Sequence, residues 1–271
     1  SGGSWRTVKQ AYVKSGGSWR KFHDAENVFT FSVTLTGTRT STFNLGTWLT
    51  TSGYNSPSLG RVYNNGDRIR GLITVNGNAG GNPGIYIGSF TSGSIVYVKV
   101  NSNKRIAGRG GNGGNVGAGG QSAGTALYTR TGVFIENNGN MWGGGGGGRG
   151  GNNGQCVGTY YYNYNCGKNC YRQGTGYNYN PANGGGGGGG AGIPAGSGGN
   201  NGGNNGSYNS GGNGGSGNGC GSNAGGKGGN PGQDATGGNQ GSNGNSGYYI
   251  DGASYVYSWV ANGDRRGRSG N

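Results

Sequence analysis

The sequence predicts a mainly β chain in which an N-terminal β-structured region is followed by a sandwich of polyglycine type II helices, with essentially no α-helix. Three observations carry that expectation. Between Arg109 and Gln121 the chain keeps a three-residue beat: Arg109, Asn112, Asn115, Ala118 and Gln121 are each separated by two small residues, all glycine except Val116. The beat returns as Arg149, Asn152 and Gln155, as Ser210, Asn213 and Ser216, and as Ala224, Lys227 and Asn230. A collagen strand carries one glycine per triplet because one side of each chain meets the crowded axis. Two bare positions per triplet instead suit a left-handed helix of three residues per turn that touches neighbouring backbones on two faces and presents one side chain outward. Second, β-branched and aromatic residues gather in runs before residue 104, split by Gly, Asn and Pro turns. Third, the chain has no amphipathic helix of useful length, nor any run near the roughly 20 apolar residues that span a membrane.

The elements divide into three regions. Residues 1–27 carry the hexapeptide Ser-Gly-Gly-Ser-Trp-Arg at Ser1 and again at Ser15, which reads as a β-hairpin whose tryptophans, Trp5 and Trp19, need a surface to cover them and so form an attachment segment. The chain opens at Ser1 without Met and without a signal peptide, as expected of a processed or truncated N-terminus. Residues 28–103 read as a sandwich-like domain of antiparallel strands at Val28 to Thr38, Thr47 to Thr51, Arg68 to Val75, Ile85 to Phe90 and Ile95 to Val100. Residues 104–271 read as the glycine-rich domain, closed by a C-terminal strand. Val98 to Asn103, running through Ile106 into Gly108, and Phe134 to Gly139, running through Trp142 into six glycines, each place an apolar strand ahead of a glycine run. Strands are therefore expected to pin the glycine helices at one end.

Composition alone would also fit a disordered chain, with 75 Gly among 271 residues and 28% hydrophobic content. Glycine in register separates the two outcomes. Where no Cβ intervenes, neighbouring backbones can exchange N–H···O and close Cα–H···O bonds, and a lattice of these can offset the backbone entropy that a hydrophobic core could not.

The strand-to-glycine junctions, Ile106-Ala-Gly-Arg-Gly-Gly-Asn-Gly-Gly114 and Met141-Trp followed by Gly143 to Gly148, together with poly-Gly blocks broken by Tyr/Asn loops, resemble the receptor-recognising tail-fibre adhesins of bacteriophages. The best known of these cap the long tail fibres of T-even phages. The resemblance covers about residues 104–271, and the Ser-Gly-Gly-Ser-Trp repeats resemble short repeats of phage tail proteins. It implies stacked polyglycine-II helices joined by loops that contact the host surface, a place at the distal tip of the virion's tail, and two kinds of partner. These are a bacterial surface receptor, an outer-membrane protein or lipopolysaccharide, and other tail or fibre proteins, with a homotrimer as one arrangement. Residues 28–100 depart from the T-even tip proteins, so their mode of mounting is not carried over.

On that resemblance the stretch between Cys156 and Pro181 becomes the recognition surface. It holds Tyr160, Tyr161, Tyr162, Tyr164, Tyr171, Tyr177 and Tyr179 interleaved with asparagine. Tyrosine brings large contact area at small entropic cost, while Asn, Ser and Gly adapt their hydrogen bonding. The bland alternative is that these rings pack over a sheet edge. A second candidate loop runs through Ile193, Pro194 and Ala195, with Tyr208 further on.

Cys156, Cys166, Cys170 and Cys220 lack any C-x-x-C spacing, and the one histidine, His23, lies in another region. No metal or cofactor is expected. For an extracellular particle the four cysteines allow two disulfides, with three connectivities open, while assembly in a reducing cytoplasm leaves free thiols as the alternative; Cys166 and Cys170 bracket a short Gly-Lys-Asn loop. The net charge of +14 attracts acidic partners such as a bacterial envelope, and nucleic acid as well. The Arg-Gly-Gly units at Arg109 and Arg149 belong to that rival reading as a disordered RNA-binding protein. Cations are sparse between Asn152 and Asn262, where only Lys168, Arg172 and Lys227 occur, and the nucleic-acid reading is set aside. An ice-binding glycine-helix bundle would want flat faces of small residues, against the tyrosines here. With seven acids, no Ser–His–Asp order and no phosphate-loop motif, the chain is not expected to be an enzyme.

Overall fold

The structure, a computed structural model, describes residues 10–15, 18–24, 28–168, 170–239 and 241–271, with backbone alone in the first two stretches and at residues 170 and 171. The chain begins with an antiparallel pair, β1 (Gln10–Ser15) and β2 (Ser18–Asp24). Five turns of a flattened coil follow, each contributing to two stacked sheets. The first turn holds β3 (Val28–Arg39) and β4 (Phe43–Asn44), then a single short helix, α1 (Leu45–Thr51). The second holds β5 (Arg68–Gly81) and β6 (Ile85–Gly88). The third holds β7 (Ile95–Val100), β8 (Arg105–Gly108) and β9 (Leu127–Thr129). The fourth runs from β10 (Gly132–Trp142) through a long hairpin, β11 (Gly154–Gly167) and β12 (Cys170–Ala182), to β13 (Tyr248–Asp251). The fifth holds β14 (Val256–Arg266) and β15 (Arg268–Gly270).

One sheet runs β14-β10-β7-β5-β3, with β8 continuing β7 between β5 and β10; the other runs β15-β13-β9-β6-β4. Within both sheets every pairing is parallel. Equivalent residues of successive turns therefore stack. Ile73 sits beside Val98 and Val98 beside Ile135, while Phe43, Ile85, Leu127 and Ile250 line up across the facing sheet. All are buried and belong to one core between the sheets. Burial of such side chains is the ordinary hydrophobic stabilisation of a domain.

Two expectations are corrected here. The strands are parallel, not antiparallel: the short connection from β6 to β7 is a corner that carries the chain from one sheet to the other, so consecutive strands do not pair. Thr47 to Thr51 is helical. Leu45 and Leu49 are spaced by one helical turn and both are buried, and the Asn44 side chain caps the helix by accepting from the Thr47 N–H at 3.1 Å. That apolar spacing overrides the β preference of the threonines. The first sheet also takes strands from both sides of residue 104, so the border expected there runs through a sheet.

Glycine threads leave the coil at the ends of β8 and β10, as the strand-to-glycine junctions imply. In the third turn the chain runs out along 109–117 and back along 118–124. In the fourth it runs out along 143–151, passes through the hairpin, returns along 184–191, and makes three further out-and-back passes before β13. Thread 143–151 is the hub. Gly144, Gly147 and Gly150 donate to Gly124, Gln121 and Ala118; Gly145, Gly148 and Gly151 donate to Ala191, Gly188 and Gly185. Its carbonyls accept from Gly111 and Gly114, from Gly226 and Gly229, and from Gly244 and Gly247, while Gly146 donates to Gln233. Each step of three residues returns to the same neighbour. Added Cβ atoms show why glycine is required: at Gly144, Gly147, Gly187 and Gly190 they would overlap the carbonyl oxygens of Arg109, Asn112, Gly148 and Gly145.

The coil fixes where this bundle starts. Arg109 donates to Gly81 at 2.7 Å and Gly143 to Arg266 at 2.8 Å. Trp142, 6% exposed, lies between the guanidinium groups of Arg105 and Arg266, 4.6 and 4.5 Å from the ring centroid. Ile193, where the thread 184–191 returns to the coil, packs onto Gly80, where a side chain would collide with it.

Gly144→Ala should cost about 3 kcal/mol or more, because a methyl group would force neighbouring backbones away from each other. Gly158→Ala, in the hairpin with only ordinary contacts around an added Cβ, should be close to neutral; comparison of the two melting temperatures checks this. A second outcome follows from Asp67, whose carboxylate takes a two-pronged bond from Arg61 at 2.7 and 2.8 Å and accepts from the Asn64 N–H at 2.9 Å. The Arg61 hydrogen bond holds its pKa below the ordinary carboxylate value. Its contribution is thus present above about pH 4, where the unfolded carboxyl ionises, and is lost as pH falls through the lower folded value. Asp67→Asn should lower the melting temperature at pH 7, and the difference from wild type should shrink between about pH 4 and pH 2.

Candidate functional site

At the far end of the threads the chain must reverse, and at Asn115 to Ala118 it does so inside the stretch whose even three-residue spacing reads as one continuous helix. The turns lie at 115–118, 199–202 and 216–223 and around Gly237 and Gly241, with the β11–β12 hairpin as the longest excursion. Glycines in the left-handed region make these turns, among them Gly117 at φ 77° and Gly202 at φ 84°. Neighbouring turns are tied by asparagine. Val116 N–H donates to Asn200 Oδ1 at 3.0 Å, and Asn200 N–H donates to Asn115 Oδ1 at 3.1 Å. Arg149 holds the turn around Gly237 and Gly241 by donating to their carbonyls at 2.8 and 3.0 Å.

The hairpin extends roughly 40 Å beyond the bundle, from its strand rise. An isolated two-stranded ribbon is marginal in water. This one is fastened at its base, where Cys156 is bonded to Cys220 across 64 residues of sequence. Cys166 is likewise disulfide-bonded, while the Cys170 side chain lies outside the described residues. Among the described residues no cluster of metal-ligating side chains occurs.

The hairpin's two faces differ. Alternate residues share a face, so Tyr160, Tyr162 and Tyr164 form one row, with ring centroids 6.0 and 6.1 Å apart. Across from them on β12 stand Gly176, Gly174 and Arg172. The rings of Tyr160 and Tyr162 lie over those glycines, occupying the space a Cβ would take, the device by which an aromatic ring shields a strand glycine. Tyr161, Tyr177 and Tyr179 occupy the reverse face beside Val157, and are 57–67% exposed.

Six of the eight tyrosines singled out in the sequence, Tyr160, Tyr161, Tyr162, Tyr164, Tyr177 and Tyr179, are thus brought together on one projection. The Tyr171 side chain lies outside the described residues. Tyr208 is elsewhere: its neighbour Asn209 accepts from Arg105 Nη1 at 2.8 Å, which puts it at the coil end of the threads. Ile193, in the same candidate loop, is fully buried. Trp5 and the Trp19 side chain lie outside the described residues. Sequence reasoning missed the far-end turns at Asn115, Asn200 and Gly237. At Asn115 the beat runs on, and the signal is Val116 in a position otherwise held by glycine; at Asn200 and Gly237 it is the second asparagine or the extra glycine.

A rigid backbone lattice that displays turns and an aromatic ribbon at one end is the architecture of a recognition module, in which a fixed scaffold positions variable loops. The family described as phage tail fibre adhesin Gp38 matches residues 29–270, and the chain belongs to that family. It is a receptor-binding adhesin of a phage tail fibre and belongs to the virion. Among solved structures it is similar to the crystal structure of the gp37-gp38 adhesin tip complex of the bacteriophage S16 long tail fiber, at 22% identity and a TM-score of 0.52, over 92% of this chain and 83% of that one. At that identity the likeness concerns the fold. No curated protein matches the chain, and among the described residues no helix is long and apolar enough to cross a membrane.

Replacing Cys156 and Cys220 by serine should lower the stability by up to about 4 kcal/mol, from loop-closure entropy alone. Hydrogen exchange should quicken across 154–182 and 216–222 first, with thread 143–151 still protected.

Proposed function

We propose that the adhesin recognises its receptor on the bacterial surface through the tyrosine hairpin and the far-end turns, carried by threads that are polyglycine type II helices. The observation that carries this is the gathering of six exposed tyrosines on one ribbon at the end of the bundle away from the coil. Hydrogen bonds that return to the same neighbour every third residue support the helix type. Such helices, packed around a central thread, give the ribbon a base that does not yield when a receptor binds. On this reading the β1–β2 segment, with Trp5 and Trp19, mounts the chain on other proteins of the tail fibre, in one copy or three.

The reading is one of binding without turnover. All five acids of residues 28–271 are engaged in ion pairs: Asp67 with Arg61, Glu136 with Lys99, Asp251 with Arg130, Asp264 with Arg266 and Asp234 with Arg268. Lysines and arginines outnumber them, which leaves the surface net positive and favours encounter with an envelope rich in phosphate and carboxylate.

Replacing Tyr160, Tyr161, Tyr162 and Tyr164 together by serine should abolish adsorption to host cells while the melting temperature of the thread bundle is kept. Adsorption at the wild-type rate by a folded variant would remove the hairpin from the account.

A further inference from the structure

Building on the hairpin as the recognition element, we infer that the Tyr160–Tyr162–Tyr164 row is a stacking platform for a carbohydrate chain bearing an acidic substituent, and that Arg172 receives that acid. The two faces of the ribbon are not equivalent. Tyr161, Tyr177 and Tyr179 stand free of the ribbon, whereas Tyr160, Tyr162 and Tyr164 are 43–47% exposed. In that row the outer ends of the Tyr160 and Tyr162 rings lie over Gly176 and Gly174, in the space a Cβ would take, while nearly half of each side chain stays exposed.

Rings held in this way surrender little freedom on binding. They are tilted by 41° and 44° to one another along the row, so the three rings do not close into one stack. A pyranose ring offers a flat patch of C–H groups that suits the electron-rich face of an aromatic ring, and consecutive sugars can occupy consecutive tyrosines. Each phenol hydroxyl supplies a donor and an acceptor for sugar hydroxyls. At the tip end of the row Arg172 is the cross-strand partner of Tyr164. Residues 154–182 contain Lys168 and Arg172 as their only charged residues, with no Asp or Glu. A phosphate or carboxylate on the glycan therefore meets a cation and no opposing carboxylate, and guanidinium is well matched to either.

The test uses the full chain and the phosphorylated core oligosaccharide released from lipopolysaccharide of a strain to which the chain adsorbs, alongside its dephosphorylated counterpart. Saturation-transfer NMR and titration should show contact with tyrosine ring protons. Tyr162→Ala should weaken binding at least about tenfold, Tyr162→Phe should retain most of it, and Tyr161→Ala on the reverse face should leave it unchanged. Arg172→Gln should erase the preference for the phosphorylated sugar. Oligosaccharide binding that is absent, or indifferent to Tyr162→Ala, overturns the inference. If cell adsorption is nonetheless lost on replacing Tyr160, Tyr162 and Tyr164, the hairpin reading stands and a protein receptor takes the glycan's place. If adsorption persists, the hairpin reading itself fails.

Discussion

The structure depends on the absence of Cβ atoms along thread 143–151. Its amides and carbonyls reach neighbours on every side, and at nearly every position a methyl group would occupy the site of another thread's carbonyl oxygen. Packing here is backbone against backbone, so hydrogen bonds and close C–H···O contacts replace the side-chain interdigitation of an ordinary core. The same constraint makes the assembly cooperative. A single thread lacks partners for most of its polar groups, and it gains them only when its neighbours are in place.

Such a lattice needs a template, and the parallel coil supplies one. Strands β8 and β10 are neighbours in one sheet, so the glycine runs that continue them start side by side and in register. The Arg105–Trp142–Arg266 stack holds the start of the threads on the face of the sheet opposite the core residue Met141, and Ile193 brings the thread returning along 184–191 back onto the sheet at Gly80. Hydrophobic burial thus fixes one end of the bundle and hydrogen bonding carries the order outward. At the far end the turns are tied to one another through Asn115 and Asn200 and to the hub thread through Gly117 and Ala118, so the longer excursions, above all the β11–β12 hairpin, are the parts that stand clear of the lattice.

Much of this was legible in the residues. Bare pairs between Arg109 and Gln121 announced the threads, and Val28 to Thr38, Arg68 to Val75 and Ile95 to Val100 read correctly as strands. Their parallel pairing was hidden because two of the five turns carry long glycine insertions, which obscure any repeat length. Thr47 to Thr51 misled through its β-branched residues, since the helical spacing of Leu45 and Leu49 is visible only once both are known to face a core. The tyrosines read as a loop, yet alternation of Tyr with Asn in β11 is also a strand pattern. The pleat of the strand then sorts the run Tyr160-Tyr161-Tyr162 onto two faces. Pairing of Cys156 with Cys220 could not be read from spacing, because it joins two far-end excursions brought together by the lattice.

Amide hydrogen exchange, resolved by residue across the glycine threads, tests the central claim most directly. The account predicts protection of the 143–151 and 184–191 amides comparable to that of β5 and β10 in the coil, and collapse of both in one transition. Exchange of those glycines at the rate of an unstructured chain, with the coil still protected, would contradict it.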